Sequence, residues 1–198
     1  MNATSLFVMK IRTIAILFLL MLSGTTQSQT YSSIVPDNEI YDFLNWLTKH
    51  GDRCTENRLF RRVRISQNMD NWTPNNFFQK DTVFSNSNYD NDFLFEKGSV
   101  ADSLFSQTDR ESMYQQFVAQ KDSVWKRRFK GAVFAKKGKS NRAKIFYSIP
   151  LFSLDRNYAL VKMCCYSGEL NAFGGYFIYR KMGNHRWKFV EGIDAWQS

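Results

Sequence analysis

From Gly131 onward the chain reads as β-strand after β-strand, and this feature most constrains the fold. Ala132-Val133-Phe134-Ala135 and Ala143 to Ser148 flank a Lys-Gly-Lys-Ser-Asn turn. Asn157 to Tyr166 and Gly175 to Lys181 follow as longer apolar stretches. Along a strand, successive side chains point to opposite faces. In Gly175 to Lys181 this places Tyr176, Ile178 and the stem of Arg180 on one face, with Phe177 and Tyr179 on the other. Met182-Gly183-Asn184-His185 makes the next turn, Arg186 to Val190 returns, and a short end carries Trp196. Consecutive strands joined by short turns pair antiparallel. The expectation is a carboxy-terminal antiparallel meander.

Upstream the period changes. Ile40, Phe43, Leu44 and Leu47 fall at i, i+3, i+4 and i+7, which builds one apolar helix face. Asp37 and Glu39 suit the positive end of the helix dipole, Lys49 and His50 the negative end, and Gly51 stops the helix. A second helix is marked by Thr108 and Glu111 at capping-box spacing, with Met113 and Phe117 on one face and an end as late as Trp125 or Phe129. Leu59 to Ser66 reads as a strand with Arg62 and Arg64 on one side and Val63 and Ile65 on the other. Residues 68–93 are rich in Asn, Asp and Ser and read as loop. The order predicts an α+β fold, amino-terminal helices packed on the carboxy-terminal antiparallel sheet. The length of 198 residues fits one domain after a leader, over 29–198.

That leader is residues 1–28. Thr13 to Leu22 is an apolar run half as long as a membrane-spanning helix, preceded by Lys10 and Arg12 and followed by Ser23, Gly24 and Thr25 to Ser28. This is the order of a secretory signal peptide, with cleavage expected after Ser28 and Ser23 to Thr25 as the alternative stretch. No later stretch is long and apolar enough to span a bilayer, so a periplasmic or secreted protein is expected. Export means an oxidising compartment. Adjacent strand residues face opposite ways, so Cys54 can bridge to Cys164 or to Cys165 but not readily to both; three buried thiols are the alternative.

The last fifty residues also carry a resemblance. Ser148-Ile149-Pro150-Leu151-Phe152-Ser153 leads into Asp155-Arg156-Asn157-Tyr158-Ala159-Leu160-Val161. Tyr166, Gly168, Leu170 and Gly174-Gly175 follow, then Tyr179-Arg180-Lys181, Arg186-Trp187-Lys188 and Trp196-Gln197-Ser198. This pattern, mainly in 145–198, resembles a group of small exported proteins of Gram-negative bacterial envelopes to which no activity is attached. The resemblance implies an envelope location and no chemistry. Where the group often has a Cys on either side of its glycine loop, this chain has Ser167 and Asn171.

No catalytic, cofactor-binding or metal-binding residue is assigned from the sequence. His50, Asp52 and Cys54 lie within five residues, and local proximity is not the usual way a thiol–imidazole dyad is assembled. His185 sits in a turn. Asp90-Asn91-Asp92 with Glu96 lacks the later ligands and the glycine of a calcium loop. Glu169 and Glu191 are the carboxylates nearest to a glycosidase pair, and neither has an assigned partner. The aromatic content raises sugar stacking, but Phe, a core residue, supplies 18 of the rings.

Charge is more informative. The formal net charge is +9. Nine bases and no acid lie between Lys126 and Lys144: Lys126, Arg127, Arg128, Lys130, Lys136, Lys137, Lys139, Arg142 and Lys144. The balance of the chain, once the leader's two bases are removed, is close to neutral. The sequence therefore predicts an exported binding or accessory protein whose basic segment at 126–144 is a candidate contact for an anionic envelope component or protein partner. Export disfavours nucleic acid. The alternative is a small envelope hydrolase whose active site the sequence does not identify.

Overall fold

A computed structural model describes residues 30–50, 63–73, 77, 94–95, 97–135, 144–166, 172–183 and 185–197. The leader, Cys54 and the loop bases Lys136, Lys137, Lys139 and Arg142 lie outside these residues. The elements are α1 (Asp37–His50), β1 (Val63–Ile65), α2 (Val100–Leu104), α3 (Gln107–Val118), β2 (Ala132–Phe134), β3 (Lys144–Tyr147), β4 (Leu151–Phe152), β5 (Tyr158–Tyr166), β6 (Ala172–Lys181) and β7 (Trp187–Gln197).

The sheet is mixed, which corrects the expected meander. Its strand order is β2-β1-β3-β5-β6-β7, with β4 also paired to β5. The steps β3–β5, β5–β6 and β6–β7 are antiparallel as the sequence predicts. However, β2 and β3 are not a hairpin. β1, from far upstream, lies between them and runs parallel to both. The register explains why: Ile65 stands level with Phe134 on one side and Ile145 on the other. One strand then joins three apolar side chains over a common core, a non-local gain that a period-two pattern does not encode.

β3 and β4 lie along the same edge of β5, interrupted at Pro150, which has no N–H to give a ladder. Ser148 bridges the break. Its N–H donates to the Lys162 carbonyl at 2.9 Å, and its hydroxyl accepts from the Lys162 N–H at 2.9 Å.

The helices do not form an amino-terminal pair on one face, a second correction. α1 contributes Ile40, Phe43, Leu44 and Leu47 to a core with Ile145, Val161, Phe177 and Trp187. Ala101, Phe105 and Met113, from the α2–α3 region, join Leu160, Tyr176 and Ile178 in another. Neighbours on β5 and β6 alternate between these two cores, so helices cover both faces of the sheet.

α3 starts earlier than its pattern predicts. Ser106 is the cap, its hydroxyl accepting from the Asp109 N–H while the Asp109 carboxylate accepts from the Ser106 N–H. The helix ends at Val118, so Trp125 and Phe129 belong to an irregular segment packed into the first core.

Candidate functional site

Two groups of polar side chains stand out, one on each side of the sheet. The first is the start of the basic segment. Trp125 and Phe129 are buried and flank Tyr41, with ring centroids 6.2 and 5.4 Å away. These anchors fix the chain between them, and the side chains of Lys126, Arg127, Arg128 and Lys130 are exposed.

The backbone there is held by α1 and the residues before it. The Lys126 N–H donates to the Tyr31 hydroxyl at 2.8 Å. The Arg127 N–H donates to the Tyr41 hydroxyl, which itself donates to the Arg127 carbonyl, both at 3.0 Å. With that single hydroxyl hydrogen used, Tyr31 donates to Tyr41 across 2.7 Å. Burial, then the Tyr31 hydroxyl, push the Tyr41 phenol above the usual tyrosine range, so it stays neutral and keeps its donor. The Lys130 N–H donates to Asn45 Oδ1 at 2.7 Å.

Among the four bases the environments differ. Lys126 Nζ pairs with Asp122 at 2.7 Å, and the Arg127 guanidinium lies over the Tyr41 ring at 4.5 Å. Lys144 is not part of this surface. Its β3 neighbours Ile145 and Tyr147 enter the first core, so Lys144 points to the other face of the sheet.

The second group was not found from the sequence. Lys162 Nζ lies 3.2 Å from Asp70 Oδ1 and 5.9 Å from the centre of the Tyr176 ring, on which Trp72 stacks. Cys164 is a free thiol beside them. Burial raises its pKa most, and the nearby Asp70 carboxylate adds to this against the opposing pull of Lys162. The thiol is pushed up to about 12 and is not a thiolate at neutral pH. Alternation on β5 places Lys162 and Cys164 on one face, a legible signal. Asp70 comes from the segment after β1, and nothing local joins it to β5.

The other candidates are structural where they are described. His50 Nδ1 is 3.0 Å from the Trp46 carbonyl, with its ring stacked on that indole. His185 lies at positive φ in its turn, 3.3 Å from Asp42. Glu191 accepts from the N–H of Gly192 beside it. Asp52, Cys54, Asp90, Asn91, Asp92, Glu96 and Glu169 lie outside the described residues. Among the described residues no three acidic, Cys or His side chains are grouped to hold a metal ion. Within them, too, no helix is long and apolar enough to cross a membrane.

Cys165 is disulfide-bonded, whereas Cys164 is free. The one cysteine besides this pair, Cys54, lies outside the described residues. No family profile, curated protein or solved structure matches the chain.

Proposed function

We propose that this chain is an exported binding or accessory protein that holds an anionic envelope component against its basic segment. The observation that carries the reading is the anchoring of residues 126–130. Three of their backbone N–H groups are bound by Tyr31, Tyr41 and Asn45. A cationic segment on a fixed backbone loses less conformational entropy on binding than the same bases on a free loop. Arg128 and Lys130 are the bases with which an anion would engage most freely, since Lys126 and Arg127 already have partners.

The hydrolase alternative gains no support among the described residues. His50 and the free thiol Cys164 belong to different clusters, and the thiol is protonated.

Co-sedimentation with vesicles rich in phosphatidylglycerol, at low and high salt, tests the proposal. Binding that weakens with salt is expected. The double change Arg128→Gln and Lys130→Gln removes two charges, at about 1 kcal/mol each near an anionic surface, so affinity should fall roughly 30-fold. Unchanged binding by a folded double variant, or no binding by the parent protein, overturns it.

A further inference from the structure

Bases are concentrated a second time where β6 turns into β7. Arg180, Lys181, Arg186 and Lys188 fall within nine residues, and no acid lies between Arg180 and Val190. Arg180, Arg186 and Lys188 are exposed, while Lys181 is half-buried with its Nζ 5.7 Å from the centre of the Trp187 ring. Arg180 and Lys188 stand level on neighbouring strands. Like charges so placed repel one another and weaken a sheet.

The acids at this end are engaged elsewhere. Glu39 lies 3.8 Å from Arg156, and Asp42 lies 3.3 Å from His185. Asp155 accepts from the Ser153 hydroxyl at 2.6 Å and from the Asn157 N–H at 2.9 Å. Among the described residues no carboxylate pairs with Arg180, Lys181, Arg186 or Lys188.

The same end exposes two large apolar side chains. Leu154, in the turn between β4 and β5, is 62% exposed, and Met182, just after β6, is 53% exposed. The two turns are neighbours, since the Lys181 N–H donates to the Asn157 carbonyl at 2.8 Å. Both are fixed. The Met182 N–H donates to the Arg186 carbonyl at 2.8 Å, and the Arg186 N–H to the Gly183 carbonyl at 2.9 Å. The Leu154 N–H donates to Asp109 Oδ1 at 2.8 Å.

We propose that this end of the sheet docks on an anionic lipid surface, with Leu154 and Met182 entering the headgroup layer and the four bases engaging lipid phosphates. The unpaired charge calls for an anion, and the exposed Leu and Met call for hydrocarbon. A bilayer interface supplies both, whereas a free phosphate or a soluble polyanion supplies only the first. The long stems of Arg and Lys let their charges stay among the phosphates while the apolar tips lie deeper. This contact does not rest on residues 126–130. Those precede β2 at one edge of the sheet, and the β6–β7 turn lies at the other.

Hydrogen exchange and co-sedimentation of the parent protein with vesicles of phosphatidylglycerol or of phosphatidylcholine test this. Phosphatidylglycerol should protect the amides of residues 154–157 and 182–186, and phosphatidylcholine should not. Arg180→Gln with Lys188→Gln should lower affinity roughly 30-fold at low salt and much less at high salt. Leu154→Ser with Met182→Ser should lower it on the order of tenfold, with a loss that persists at high salt. Protection confined to residues 126–130 overturns this contact and leaves the basic segment standing. Protection confined to the two turns does the opposite. The proposal fails also if the parent protein does not bind, if the apolar variant binds as the parent does, or if soluble glycerol phosphate gives the same protection as the vesicles.

Discussion

On β5 and β6 neighbouring residues serve different layers: Val161 and Phe177 face α1, while Leu160 and Ile178 face α2 and α3. The first face is filled by rings, with Phe43 edge-on to Phe152, Tyr179 and Trp187 at 5.0–6.0 Å. The Tyr31 and Tyr41 phenols there are paired with each other and with backbone groups, whereas the buried Trp125 Nε1 has no hydrogen-bond partner. The second face also has an apolar core, but it admits an ion pair and a thiol at one side and a glutamine at another. The difference explains where chemistry can reside. Groups that ionise need partners when buried, and on the second face Lys162 and Asp70 supply one another.

The largest way to break this comparison is to empty the first face. Phe177→Ala should cost about 3–5 kcal/mol, because a fully buried ring leaves a cavity among side chains that cannot collapse into it. Chemical denaturation followed by tryptophan fluorescence would measure this. A loss below about 1 kcal/mol would mean that this core is not the principal one.

The second face should lose almost as much through one polar residue. Gln116 is buried and serves both backbone groups of Phe152: its Nε2 donates to the carbonyl at 2.8 Å, and its Oε1 accepts from the N–H at 2.9 Å. Gln116→Leu keeps much of the volume but orphans both groups. The expected cost is about 2–4 kcal/mol. Equal stability of the variant would show that water replaces the amide.

A smaller effect is expected where the first face meets the basic segment. Tyr41→Phe keeps the ring, and so the contact with Arg127, but removes the hydroxyl that serves both backbone groups of Arg127. It should cost about 1–3 kcal/mol, with faster hydrogen exchange at the Arg127 amide. Unchanged exchange would show that the rings alone hold the segment.

How far these features were legible depends on sequence separation. α1 was read to its ends, since its apolar face and end charges are local. The antiparallel steps from β5 to β7 were read because short turns leave little choice of partner. The parallel insertion of β1 was not. Val63–Ile65 was recognisable as a strand, but its partners lie some 70 and 80 residues on, chosen by the burial of Ile65 beside Phe134 and Ile145. The candidate sites divide in the same way. The bases at 126–130 were visible as a run. Tyr31, Tyr41 and Asn45, which anchor them, and Asp70, which faces Cys164, are brought in by packing. Ser106 was missed for a local reason: Thr108 and Glu111 also have capping-box spacing, and the pattern does not say which pair the chain uses.

The smallest predicted effect concerns that cap, which joins α3 to the turn after β4. Burial of Asp109 raises its pKa, but the Ser106 hydroxyl, the Leu154 N–H and the Ser106 N–H together outweigh this and hold it below the usual carboxylate value of 3.8. The Leu154 N–H donates to Asp109 Oδ1 at 2.8 Å. A carboxylate with a depressed folded-state pKa adds stability that is fully present above its unfolded pKa and is lost as pH falls through the folded value. Asp109→Asn keeps an acceptor without the charge. At neutral pH it should cost roughly 0.5–1 kcal/mol, the lower end applying if solvent screens the site. Asp102, Asp122 and Asp155 are held down as well, so acid alone weakens the protein at several places. The informative quantity is therefore the gap between parent and variant in urea titrations across the acid range. That gap should close as pH falls below the carboxylate range. A gap that stays constant would assign the contribution of Asp109 to geometry rather than charge.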